Sequence, residues 1–129
     1  MSKQPPIVIA ESVYDAIANL IDERAEDAIT QALSAELDRA RIVTDKRLPA
    51  DAVTIGSQVS FTVAATGKTF TYVLRLPRQI SDPSVDLSVL SPVGSALIGL
   101  RQGQQIDWTI GAGKRTSITV TQVDAPIAA

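Results

Sequence analysis

Apolar residues along this chain repeat first at helical spacing and then at strand spacing, and the change falls near residue 48. Val13, Ile17, Leu20 and Ile21 share one helical face. Ser12 is a candidate N-cap ahead of them, with Asp15 three positions on as its capping-box partner. Asp22-Glu23-Arg24 interrupts this stripe. Ile29, Leu33 and Leu37 then step by four, and Ala25, Ala28, Ala32 and Ala40 widen a second stripe that lets two helices approach closely. Arg39 and Arg41 stand near its end, where cations favour the helix dipole. The stretch from Thr44 to Pro49 stops it, because the residue before a proline disfavours helix. The two helices, about twelve and about eighteen residues, would span ~18 Å and ~27 Å. Neither is stable alone at that length, so their stripes must be buried. A short connection folds them back on each other. Residues 1–48 therefore read as a short N-terminal antiparallel coiled-coil hairpin.

From Asp51 the period becomes two. Val59, Phe61 and Val63 alternate with polar neighbours, Thr66-Gly67-Lys68 reads as a hairpin turn, and Phe70, Tyr72, Leu74 and Leu76 alternate next. Pro77 to Pro83 is a loop, and Leu87 and Val89 mark a short strand. Ser91-Pro92 offers an N-cap followed by proline at the first helical position. Val93 to Ile98 then forms a short helix stopped by Gly99. Ile106, Trp108 and Ile110 alternate, Gly111-Ala112-Gly113 turns, and Ile118 and Val120 mark a last strand, with a frayed tail from Asp124. Residues 49–129 read as a mainly antiparallel sheet with one short helix, and the chain as α+β.

Composition narrows the chemistry. Hydrophobic residues are 45% of the 129 but aromatics only 4%, so the core must be aliphatic. There is no cysteine and no histidine, which removes disulfides, thiolate nucleophiles, the commonest general base and the commonest metal ligand. Residues 1–6 are polar and proline-broken, and Ile7 to Ala10 is too short for a signal core or a membrane span. A cytoplasmic protein with no membrane contact and no cofactor is expected. The net charge of −2 hides an asymmetry. Residues 11–45 hold nine acids against Arg24, Arg39 and Arg41 and carry −6, so the remainder carries +4.

Several motifs invite a functional reading. Ala65-Thr66-Gly67-Lys68-Thr69 has the end of a phosphate-binding loop, but Thr62 stands where that loop needs glycine, and the segment joins two strands. Gly113-Lys114 fails likewise, with Trp108 in the glycine place. The acids Asp22, Glu23, Glu26 and Asp27 at the hairpin tip admit two readings: a solvated helix turn, or carboxylates that meet magnesium or a basic partner. Phe61, Phe70, Tyr72 and Trp108 alternate inside strands and read as core rather than as a stacking platform for bases. Arg75, Arg78, Arg101, Lys114 and Arg115 are too scattered to announce nucleic acid, so no sequence-specific nucleic-acid binding is expected.

The most specific stretch is Leu90-Ser91-Pro92-Val93-Gly94-Ser95-Ala96-Leu97-Ile98-Gly99-Leu100-Arg101-Gln102-Gly103. It resembles the C-terminal signature of the Gre-factor superfamily, in which Ser-Pro begins a short helix of small residues ending at a Leu-Ile-Gly step. Val53-Thr54-Ile55-Gly56-Ser57-Gln58-Val59 is similar to the family's Val-x-x-Gly-Ser-x-Val approach to the sheet. Ala35-Glu36-Leu37-Asp38-Arg39-Ala40 and Leu87 to Gly94 resemble most the branch called regulator of nucleoside diphosphate kinase. The resemblance covers most of residues 12–123. It implies an FKBP-like C-terminal domain that docks at the RNA polymerase secondary channel, gripping through Ser91, Pro92, Val93 and Gly94, with the hairpin pointing inward. Gre factors that stimulate transcript cleavage carry much longer arms. The short arm here implies a transcription regulator without that activity, not an enzyme, and a monomer. Two alternatives stand beside it. A peptidyl-prolyl isomerase fits the implied fold but needs an aromatic cluster, and the chain holds five aromatics in all. An interaction module could instead dimerise through the hairpin stripes.

Overall fold

The computed structural model describes residues 6–23, 27–110 and 114–124, with backbone alone at 28–29, 92, 108–110 and 114–115. The described chain enters as a three-residue strand, β1 (Val8–Ala10), and passes directly into α1 (Glu11–Asp22). Residues 23–27 lead to α2 (Ala28–Arg39), and the chain returns as β2 (Arg41–Val43). β1 and β2 pair in parallel, Val8 opposite Arg41 and Ala10 opposite Val43. A 3-10 turn, Asp45–Arg47, follows. The rest comprises β3 (Gln58–Val63), β4 (Lys68–Arg75), β5 (Asp86–Ser88), α3 (Pro92–Leu97), β6 (Gln105–Ile110) and β7 (Lys114–Asp124). These five strands lie in the order β5-β4-β3-β7-β6. Every pairing is antiparallel except β4 with β5. The architecture is α+β.

The sheet buries one face and wets the other, as period two requires. Val59, Phe61, Leu74, Ile106, Ile118 and Val120 point inward. Outward, Ser60 and Thr71 share a hydrogen bond at 2.9 Å, and Thr62 and Thr69 one at 2.8 Å. Val120 and Val123 are three apart, so an unbroken strand would put them on opposite faces. A register shift opposite Ser60/Phe61 leaves Thr121 as an extra residue, and both valines are then buried.

Both helices contribute to the same core. Ile17, Leu33 and Leu37 join one cluster with Val53, Leu74, Leu97 and Leu100, and Val13, Tyr14, Leu20 and Ile21 pack against it. The described buried apolar residues of both helices thus belong to one core with the strands of the sheet. α2 approaches α3 more extensively than it approaches α1. Ala32, expected on the buried stripe, is exposed. The side chain of Ile29 lies outside the described residues, as do Arg24, Ala25 and Glu26.

Two expectations about the helices are corrected. The second helix is twelve residues and ends at Arg39, because Arg41–Val43 is drawn out as β2 against β1. Ser12 does not cap α1. The N-cap position is Ala10, which has no side-chain cap, and the Ser12 N–H donates instead to Asp45 Oδ1 at 3.1 Å. The segment from Ile7 to Ala10 is a core element, with Ile7 and Ile9 each 2% exposed. Gly99 makes room for it: its φ is +82°, and a Cβ there would stand 2.8 Å from Ile7 Cβ. The Val8 N–H donates to the Gly99 carbonyl at 3.1 Å.

The hairpin turn at residues 64–67, the Ser91 cap, the Gly99 stop and strands β6 and β7 all lie where the pattern put them. The Gly111-Ala112-Gly113 turn, the tail beyond Asp124 and the Trp108 side chain lie outside the described residues. Phe61 is core, as expected, but Phe70 is exposed and Tyr72 half-buried. The three rings form a compact triangle with centroids 5.7 to 6.5 Å apart.

Candidate functional site: the loop between β5 and α3

The turn from Ser88 to Gly94 is held by serine hydroxyls. The Leu90 N–H donates to Ser88 Oγ at 3.0 Å, and the Ser91 N–H to the Ser88 carbonyl at 3.0 Å. Ser91 Oγ donates to that same carbonyl at 2.6 Å and accepts the Gly94 N–H at 3.0 Å. Ser91 is therefore the N-cap of α3, with proline at the next position. Leu90 and Gly94 are buried, and Ser91 and Val93 half-buried. A Cβ on Gly94 would collide with the Ser88 carbonyl oxygen and lie 2.8 Å from Ser91 Oγ. No side chain larger than hydrogen fits there. The structure thus brings Ser91, Val93 and Gly94 together, but the hydroxyl of Ser91 is spent inside the turn. These residues shape a surface; they do not themselves offer polar atoms to a partner. The Pro92 side chain lies outside what is described.

At the other end of β5 a second loop is organised by one carboxylate. Asp86 is 7% exposed. Its Oδ2 accepts the Ser81 N–H at 3.0 Å, the Asp82 N–H at 3.1 Å and the Ser81 hydroxyl at 3.3 Å, while Oδ1 faces Arg75 Nε at 3.4 Å. The Ser81 and Asp82 amides, with Arg75 behind them, hold the Asp86 carboxyl below its ordinary value despite its burial. Asp82 is likewise lowered, first by the Ser84 hydroxyl and then by the Ser84 amide. This loop leaves Val85 exposed. Sequence reasoning passed over Asp86, since one acid in a polar loop looks solvated. The Asp82-Pro83-Ser84 turn chemistry just before it was the available signal.

The tip acids separate into different roles. Asp22 ends α1 and Glu23 caps its C-terminus, both exposed. Asp27 caps α2: its carboxylate accepts the Thr30 N–H at 2.9 Å, and the Thr30 hydroxyl accepts the Asp27 N–H at 2.9 Å. Glu26 lies outside the described residues. Among the described residues no group of three acids is arranged to hold a metal ion.

Comparison with known proteins decides the lineage. Residues 48–125 match the family described as transcription elongation factor, GreA/GreB, C-term. The chain belongs to the Gre-factor family. It is 35% identical over 123 residues to the regulator of nucleoside diphosphate kinase of Escherichia coli K12, covering 94% of this chain and 90% of that one. It is 27% identical over 88 residues to transcription elongation factor GreA of Treponema pallidum, covering 68% of this chain and 54% of that one. A solved structure titled prokaryotic transcription elongation factor GreA/GreB from Nitrosomonas europaea superposes with a TM-score of 0.74 at 31% identity, over 94% of this chain and 99% of that one. These Gre relatives carry the names of regulators and transcription factors rather than of catalysts. No helix among the described residues is long and apolar enough to cross a membrane.

Proposed function

We propose that this Gre-family chain is a transcription regulator that binds RNA polymerase at the secondary channel, in the cytoplasm, as a monomer, and does not stimulate transcript cleavage. On this reading residues 49–129 are an FKBP-like docking domain and residues 1–48 the stub of a coiled-coil arm. The docking surface is the one shaped by Ser91, Pro92, Val93 and Gly94, and the tip acids face the channel mouth.

One observation carries the absence of cleavage. α1 and α2 are twelve residues each, which limits the pair to ~18 Å. Leu20 and Ile21, in the last turn of α1, still pack against the cluster that Leu33 and Leu37 share with the sheet. Asp22 and Glu23 follow directly, so on this reading the acids are carried on a short stub. Of the tip carboxylates, Asp27 is engaged in its own cap, so a metal-holding pair has few members left.

The test is co-elution with core RNA polymerase at low salt, paired with a cleavage assay on stalled complexes. The wild-type chain should co-elute and leave the cleavage rate unchanged. Gly94→Ala should abolish co-elution, because it breaks the turn that shapes the surface. Ser91→Ala removes a cap of about 1 kcal/mol and should weaken binding while the chain stays folded. Failure of the wild-type chain to co-elute, or accelerated cleavage, would overturn the proposal.

A further inference from the structure

A second surface lies away from the β5–α3 loop, where the root of the helix pair meets the segment after α3. Here a groove of about 630 Å³ runs beside β2. Its lining mixes the aliphatic side chains of Val8, Ile42 and Pro49 with the guanidiniums of Arg41, Arg47 and Arg101. Glu11 is the acid in the lining. Arg101 Nε is engaged by Asp51 Oδ1 at 2.9 Å. Arg41 and Arg47 are exposed and have no side-chain partner among the described residues. Set against Glu11 and Asp51, the three guanidiniums leave the groove with a net positive charge.

Two further features narrow the occupant. Among the described residues β1 and β2 form a sheet of two strands, so the outer edge of β2 has no described strand beside it. Ile42, in the middle of that edge, is 40% exposed. An open strand edge, an exposed aliphatic side chain and flanking guanidiniums are the elements by which an extended acidic peptide is captured: backbone hydrogen bonds along the edge, an apolar contact below, and carboxylates on the rim. Among the described residues no aromatic ring lines the groove to stack a base. A bare phosphate would leave Ile42 and the strand edge unused.

We propose that this groove binds an extended acidic segment of a partner protein, in which apolar and carboxylate residues alternate, as an added strand on β2. Alternation is required because successive side chains of a strand point to opposite sides. The inference is independent of the polymerase-docking reading, since it concerns a different surface and is measured on the isolated chain.

The test uses a fluorescent, end-blocked hexapeptide alternating glutamate and valine, titrated with the full chain at low salt. Controls are the lysine–valine analogue, the same acidic peptide N-methylated at alternate amides, and a short inorganic polyphosphate. The acidic peptide should bind. Affinity should fall about tenfold or more in Arg41→Glu/Arg47→Glu, as loss of close charge pairs entails, and comparably on N-methylation. Both arginines are exposed, so the double variant should keep the wild-type circular dichroism. Absence of binding to the acidic peptide, binding unchanged in the double variant, or polyphosphate binding as tightly as the peptide would each overturn the proposal. Self-association of the free chain that disappears in the double variant would also overturn it, by making a second copy the occupant.

Discussion

Asp86 is the clearest case of a single side chain setting the shape of a surface. Its carboxylate gathers two backbone amides and a hydroxyl of the preceding loop, and these donors favour its charged form. A carboxylate lowered by folding stabilises the fold above its unfolded value, and that contribution is lost as pH falls through the folded value. Loop order should therefore be unchanged from neutrality down to about pH 4, the ordinary aspartate value, and be lost below it. Amide exchange at Ser81 and Asp82 measures this. In Asp86→Asn both amides should exchange faster already at neutral pH, and the acid-induced change should vanish. Protection at these amides that persists in the variant would show that the loop is held by something else. Gly94 works oppositely, by having no side chain at all: the Ser88 carbonyl occupies the space a Cβ would need.

At the scale of elements, the helix pair owes its existence to burial rather than to propensity. Twelve-residue helices are marginal in water, and α1 begins without a side-chain cap of its own. Asp45, thirty-three positions away, accepts the Ser12 N–H instead, and the Ser12 hydroxyl and amide hold its carboxyl below the usual range. Leu33 is fully buried between α2 and the sheet core. Leu33→Ala should cost about 2–5 kcal/mol, read as a lower denaturant midpoint, and because the core is continuous the helical and sheet signals should fall together. Separate transitions would indicate two independently stable units.

What could be read in advance divides along the same line. The α3 cap at Ser91-Pro92, the Gly99 stop and the β3–β4 turn were legible because each is encoded within a few residues. The β1–β2 pair was not, since three residues establish no period and their partners are distant in sequence. The Asp45 cap was hidden for the same reason. The candidate loop was found by its residues, but that Ser91 spends its hydroxyl inward depends on where the Ser88 carbonyl sits, which only the folded chain fixes.

Over the whole molecule, charge and packing are distributed differently. Asp15, Asp22 and Glu23 lie along and beyond the outer face of α1, while Arg41 and Arg47 collect at the root of the helix pair. The acidic end of the helix pair, with Asp22 and Glu23, thus lies opposite a root at which Arg41 and Arg47 stand. If the acidic end is drawn toward a basic channel, the polymerase association rate should fall as salt rises past 0.15 M, where screening acts over about 8 Å. If the β5–α3 surface is the docking surface proposed above, the dissociation rate should change less. Stopped-flow association across a salt series separates these, and a flat association rate would remove electrostatic steering from the account.

The shared core has a mechanical consequence. Because Ile17, Leu33 and Leu37 are packed into the same cluster as Leu97 and Leu100, the helix pair has no joint at which to swivel against α3. Once the loop before α3 is seated, the bearing of the acidic end is already decided, as the pointer of a dial is decided by its spindle. Substitutions that tilt α3 by a few degrees would then redirect the far end without touching it.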